Sequence, residues 1–191
     1  MNLFSVLAEG FDLPILDWIA GNLQCPFLDA VMPVITTLGD AGIFWMILAV
    51  VLMIFKKTRR VGVGIGIAMI LGLLLCNMTL KPLCHRPRPY DYQFDVFGKT
   101  IPLIIERQHD FAFPSGHTIA SFEAAGVIVM NNKKWGAAAL VLAVLIAFSR
   151  LYLYVHYPTD VLASVVLGFV LAFVGNWLSR RIPDKYLIKS K

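Results

Sequence analysis

The fold class predicted for this chain is all-α: an integral-membrane bundle of about five to six transmembrane helices. Three observations predict it. Of 191 residues, 58% are hydrophobic and 15% charged, and mean hydropathy is +0.72; soluble domains run at about 45–50% apolar and about 25% charged. Five stretches are apolar over lengths near the roughly 17–25 residues that a crossing requires. The cations fall in short clusters between those stretches. The length suits a single domain over residues 1–191.

The elements follow in order. In residues 11–38, Asp12, Asp17 and Asp29 interrupt the apolar pattern and Pro26 and Pro33 break it. Residues 1–39 are therefore expected to form one or two short helices at the membrane interface. A sixth crossing by residues 26–38 is the alternative. No basic segment precedes the first apolar stretch, so no cleavable signal peptide is expected. Spans are placed near 40–56, 61–81, 115–131, 134–152 and 158–178, the first with a short apolar core. Gly62, Gly64 and Gly66 open the second span and imitate a nucleotide loop. No strand precedes them and the lysine of a phosphate loop is missing. The four-residue spacing of Gly62 and Gly66 fits close helix packing instead.

Residues 82–114 form the one long connection. It carries Pro87, Pro89, Gly98 and Pro102 with Tyr90, Tyr92, Phe94 and Phe97. Such a segment serves as a lid or binding element, or as a cap with aromatics at headgroup depth.

Charge placement orients the bundle. Lys56, Lys57, Arg59 and Arg60 follow the first span, Lys133 and Lys134 separate the third and fourth, and Arg180, Arg181, Lys185, Lys189 and Lys191 follow the fifth. Alternating spans bring all three clusters to one side, which the positive-inside rule makes cytoplasmic. Of the twelve acids, only Glu123 and Asp184 lie outside residues 1–40, the 82–114 loop and the 153–160 loop. The 82–114 loop is thus extracytoplasmic and the C-terminus cytoplasmic. The net charge of +5 is read as topology signals plus an anion site, with no nucleic acid as partner. Cys25, Cys76 and Cys84 have no zinc-type spacing, and no disulfide is expected.

Three polar strings end apolar stretches on the outer side. They are Lys81-x6-Arg88-Pro89, Pro114-Ser115-Gly116-His117, and Ser149-Arg150-x5-His156-x3-Asp160. A cation at mid-membrane costs about 2.5–3.5 kcal/mol on insertion scales. It costs less at the edge, but converging cations repel, and an anionic ligand relieves that. Arginine offers a planar fork matched to phosphate and lysine a mobile point charge. Any one of them alone would be read as snorkelling to headgroups. Ser115 is a good N-cap with Pro114 as a stop. The amides of Ser115, Gly116 and His117 are then expected to face outward and favour an anion. Asp160, in the first turn after Pro158, can orient one ring nitrogen of His156 and leave the other nucleophilic.

In these strings the chain resembles the type 2 phosphatidic acid phosphatase (PAP2) superfamily, which includes vanadium haloperoxidases. Residues 81–160 fill every position of its three signature motifs. Arg86-Pro87 repeats the Arg-Pro pair two residues early, and only Arg88 has the family spacing from Lys81. The resemblance implies a PAP2/haloperoxidase-like helical core. The span pattern is similar to small bacterial members that dephosphorylate undecaprenyl pyrophosphate or phosphatidylglycerophosphate. By position, His156 would attack phosphorus and form a phosphohistidine, and Asp160 would orient it. His117 would protonate the leaving group and later help activate water. Lys81, Arg88, Ser115, Gly116 and Arg150 would hold the phosphoryl oxygens.

The cations would replace a metal, so no metal and no cofactor is expected. The expected partners are a lipid phosphate or diphosphate and membrane lipids. Undecaprenyl pyrophosphate is the leading substrate, in a bacterial-type plasma membrane. A lipid-to-lipid phosphotransferase with the same residues, or a non-catalytic binder or transporter of phosphorylated lipid, are the alternatives. Ser149 is expected to support Arg150 or to pack as a small residue. His85 and His109 are read as surface or headgroup contacts, and Glu123 as a buried structural acid.

Overall fold

The structure, a computed structural model, describes residues 3–183. Lys185, Lys189, Lys191 and Asp184 lie outside the described residues. Gly116–Asn131 (α8) is the axis of the bundle. It packs against Arg59–Gly72 (α5), Lys133–Tyr152 (α9) and Pro158–Arg181 (α10). Hydrocarbon gives no hydrophobic drive between helices, so close packing of small residues does the work. Ala124 and Ala125 are fully buried, and a Cβ on Gly126 would stand 2.6 Å from that of Ala172 on α10. A Cβ on Gly168 would meet Phe122 at 2.8 Å.

Ile43–Ile54 (α4) lies on α5. Gly62 faces α4 closely, with the Met53 amide 2.8 Å from where its Cβ would be, as the packing reading requires. Gly66 has no neighbour within 4 Å and so is not part of that contact. Four helical stretches are long and apolar enough to cross a membrane: Pro26–Ile54, Arg59–Phe97, Lys133–Tyr152 and Pro158–Arg181. The shorter α8 runs between them at the core. The protein is an integral membrane protein of all-helical fold. Pro26–Thr37 (α3) and α4 share one apolar stretch, broken at a turn over Asp40–Gly42 where Ala41 and Gly42 are left-handed (φ 48° and 68°).

The N-terminal helices cap one end of the bundle. Leu3–Leu7 (α1), a π-helical turn and Leu13–Leu23 (α2) bury Ala8, Leu13, Leu16 and Ile19 against Tyr152–Val155 and Tyr157. Acids of this N-terminal segment find polar partners. Asp17 accepts from Tyr154 at 2.9 Å and Asp29 from Tyr152 at 2.6 Å, and Glu9 accepts from Tyr92 at 2.6 Å.

Beyond α5 a π-helical stretch, Leu73–Leu80, runs into Lys81–Cys84 (α6). The 82–114 connection is not all irregular: Pro89–Phe97 (α7) is a helix. Tyr90 is buried and bonds the Gln108 carbonyl at 2.8 Å, and Gln93 donates to the Tyr154 hydroxyl at 2.9 Å. The first tie closes the connection on itself and the second binds it to the bend after α9.

Candidate active site

The bend after α9 places His156. Tyr154 is left-handed (φ 59°), a conformation that costs a non-glycine residue of order 1–3 kcal/mol. Its hydroxyl is held by Asp17 and Gln93, and the Val155 amide closes on the Arg150 carbonyl at 3.1 Å. His156 is thereby turned inward and is only 2% exposed.

Arg88 Nη1 stands 2.8 Å from His156 Nε2. Arginine can only donate, so Nε2 must accept, and the ring proton sits on Nδ1. Nδ1 faces Asp160 Oδ2 at 3.6 Å and has no hydrogen-bond partner. That spacing is longer than a hydrogen bond, and catalytic contacts commonly tighten only when substrate binds. Burial pushes the His156 imidazole well below the usual histidine range, and Arg88, Arg150, Lys81 and His117 add to the effect. His156 is thus neutral, with a lone pair aimed at the cations.

Asp160 is fully buried behind His156. It caps α10 by accepting the Tyr157 amide at 3.1 Å and is ion-paired with Arg86. Arg86, the repeated Arg-Pro arginine, is one residue that sequence reasoning missed. It is 1% exposed, bonds Asp12 at 2.6 Å and Thr159 at 2.8 Å, and lies 3.7 Å over the Tyr157 ring. Asp12 also accepts the Thr159 amide at 2.8 Å. One buried guanidinium therefore joins the N-terminal segment, the long connection and the start of α10. The duplicated Arg-Pro pair was its only signal.

His117 sits in the first turn of α8. Its Nε2 is 2.7 Å from Asp40 Oδ1. A Cβ on Gly39 would fall 2.7 Å from His117 Cδ2, so only glycine lets this turn lie against the ring. Asp40 is thus a second carboxylate partner that the motif spacing did not reveal. Ser115 is fully buried and caps α8 through Thr118, and its amide donates to Ser164 Oγ at 2.8 Å. The expectation that the Ser115 amide faces an anion is therefore corrected: Ser115 stands behind the site. Gly116 and His117 border the cavity.

Lys81, Arg88 and Arg150 converge on that cavity, of about 560 Å³, with Gly116, His117 and His156. Arg150 is 1% exposed and bonds Thr36 at 2.6 Å. Ser149 bonds within its own helix to Ile146 at 2.6 Å. Asp110, from the long connection, is ion-paired with both Lys81 and Arg88. Burial pushes the Asp110 carboxyl up, but Lys81 and Arg88 outweigh it and hold it below the usual carboxylate range. Away from the cations the cavity turns apolar between Met46, Ala49 and Val50 of α4 and Met69 and Ile70 of α5. Glu123 borders it too, 1% exposed and with Oε1 unpartnered. His85 lies edge-on to Phe111, ring centroids 4.6 Å apart.

This arrangement can hold a tetrahedral anion against a neutral imidazole, with an apolar wall beside it. The chain is similar to known proteins over nearly all its length. It is 27% identical over 177 residues to an undecaprenyl-diphosphatase of Sulfolobus acidocaldarius, covering 92% of this chain and 82% of that one. It is 30% identical to phosphatidylglycerophosphatase B of Bacillus subtilis, covering 84% and 79%. The crystal structure of a transmembrane PAP2 type phosphatidylglycerolphosphate phosphatase from Bacillus subtilis superimposes with a TM-score of 0.71 at 27% identity, covering 96% of this chain and 89% of that one. Aquifex aeolicus LpxE superimposes with a TM-score of 0.73 at 27% identity, covering 86% and 93%. The family model described as "PAP2 superfamily" matches residues 59–183, well over half of the chain and all three polar strings, and the protein is a member of that superfamily.

Proposed function

We propose that the protein hydrolyses a phosphate monoester or diphosphate on a membrane lipid through a phosphohistidine on His156. The observation that carries this reading is the acceptor state of His156 Nε2, imposed by Arg88 within a ring of cations. In the first step Nε2 forms a bond to phosphorus as the bond to the lipid-side oxygen breaks, and His117 supplies a proton to that oxygen. In the second, water attacks phosphorus, the P–N bond breaks, and His117 takes the water proton. Lys81, Arg88, Arg150 and the Gly116 and His117 amides stabilise a transition state whose charge is spread over the equatorial oxygens. Asp160, 3.6 Å from Nδ1, closes on the Nδ1 proton of His156 when substrate binds, and Arg86 holds Asp160.

The apolar continuation of the cavity between α4 and α5 supports a lipid rather than a soluble phosphate ester. Undecaprenyl pyrophosphate is the leading substrate, in keeping with the relatives named for it. The clusters Lys56–Arg60 and Lys133–Lys134 lie at the far ends of their helices from the site, which supports an extracytoplasmic active site. A transferase would use the same residues with a lipid hydroxyl in place of water. A binder would need the cations and not the paired imidazoles.

The test is phosphate release in detergent from undecaprenyl pyrophosphate, undecaprenyl phosphate, phosphatidic acid and phosphatidylglycerophosphate. Wild type is expected to turn over at least one, with loss of three orders of magnitude or more in His156→Ala. Full turnover by His156→Ala would remove the nucleophile from the scheme.

A further inference from the structure

A second and larger cleft, of about 850 Å³, opens at the other end of the bundle. α4 packs on α5 and α9 packs on α8, and α4 and α9 stand apart. Leu48 and Leu52 form one wall, Ala139 and Leu142 the other, and Trp45 and Ile128 lie at its base. Its mouth is residues 56–60, the end of the α4–α5 turn and the start of α5, where four of five residues are basic: Lys56, Lys57, Arg59 and Arg60. Among the described residues, none that borders the cleft is acidic. Trp135, 68% exposed, stands at the same level.

The two arginines are fixed in place. Arg59 donates to the Met53 carbonyl at 2.7 Å and the Ile54 carbonyl at 3.1 Å, and Arg60 to Ser179 at 2.6 Å and Ile182 at 3.2 Å. Lys56 and Lys57 are exposed beside them. The twelve residues of α4 separate this rim from the His117 end by about 18 Å, so one phosphate cannot serve both sites.

We propose that this cleft is a second lipid site, seating an anionic phospholipid of the leaflet opposite the active site. An apolar crevice at bilayer depth fills with hydrocarbon rather than water. The rim then decides which lipid. Clustered basic residues at the membrane surface attract anionic headgroups, each worth roughly 1 kcal/mol there, and a tryptophan at the mouth suits headgroup depth. The acyl chain lies along Leu48 and Leu142, with the phosphate on Lys56 and Lys57.

The experiment uses the full chain in detergent with dioleoyl phosphatidylglycerol and dioleoyl phosphatidylcholine as probes. Neither is a phosphate monoester, so neither is a substrate of the proposed reaction. Native mass spectrometry is expected to show phosphatidylglycerol retained at least tenfold over phosphatidylcholine, with the preference lost in Lys56→Gln/Lys57→Gln. Phosphatidylglycerol with brominated chains is expected to quench tryptophan fluorescence, and Trp135→Phe to remove much of that quenching. Equal retention of the two lipids, or no change in the double variant, would mean ordinary annular lipid and overturn the proposal. Preference lost in Lys81→Gln but kept in the double variant would place the lipid in the active-site cavity, with the same consequence. A second copy of the chain crosslinked across α4 and α9 would replace the lipid as occupant.

Discussion

Arg88 Nη1 approaches His156 Nε2 to 2.8 Å, and because a guanidinium has no lone pair to offer, this contact sets the histidine tautomer. The proton goes to Nδ1, toward Asp160, and the Nε2 lone pair accepts from Arg88 at the cavity. Cation and proposed nucleophile are thus placed by one contact.

The pH profile should report this environment. Burial and four neighbouring positive or ionisable groups hold the imidazole well below its usual value. The neutral form is therefore present at pH 7 and persists as pH falls through 6.5, and activity is lost only at lower pH. Lys81→Gln removes a repelling charge, so the imidazolium forms at higher pH and the acid limb of kcat/KM should move up. An unmoved limb would show that Lys81 does not act on His156 through charge.

Asp40 holds His117 Nε2 at 2.7 Å. If His117 protonates the leaving oxygen, Asp40→Asn should slow hydrolysis of an alkyl phosphate by about 10–100-fold, a part of the roughly 10²–10⁴-fold that general acid catalysis contributes. The loss should be much smaller for p-nitrophenyl phosphate, whose leaving group needs no proton. Equal losses on both substrates would point to a general structural defect.

Asp110 occupies Lys81 and Arg88, the cations assigned to the phosphoryl group. If a phosphoryl group binds these cations it displaces Asp110, and a charged hydrogen bond is worth about 1.5–3 kcal/mol. Asp110→Asn should therefore strengthen competitive inhibition by inorganic phosphate by about tenfold or more. Weaker inhibition would make Asp110 a positioning residue for the cations and not a competitor.

Arg86 is buried between Asp12 and Asp160. Removing one partner from a buried ionic group costs about 3–5 kcal/mol, because the remaining charges stay in the core. Arg86→Met should lower the Tm in detergent markedly, whereas Lys99→Met, at an exposed pair with Asp17, should change it little. Comparable melting of Arg86→Met and wild type would remove Arg86 from the structural role.

Much of the site was readable in the chain because its chemistry is local. Lys81 and Arg88 flank one turn, Gly116 and His117 open one helix, and Arg150 and His156 bracket one bend, so short spacings carry them. Arg86, Asp40 and Asp110 were not readable in those roles. Each acts through a partner between 22 and 77 positions away, and no local pattern encodes such a meeting. Ser115 shows the reverse case: its capping role was evident, and only packing revealed that Ser164 takes its amide.

The apolar runs determined an all-helical membrane bundle by themselves, because hydrocarbon leaves a spanning backbone few ways to satisfy its hydrogen bonds. The charge clusters likewise marked which helix ends share a face. Tertiary structure alone decided which carboxylate serves which cation or imidazole. A buried charge needs a partner wherever the fold brings one within a few ångströms, and that proximity is a property of packed helices, not of neighbouring positions in the chain.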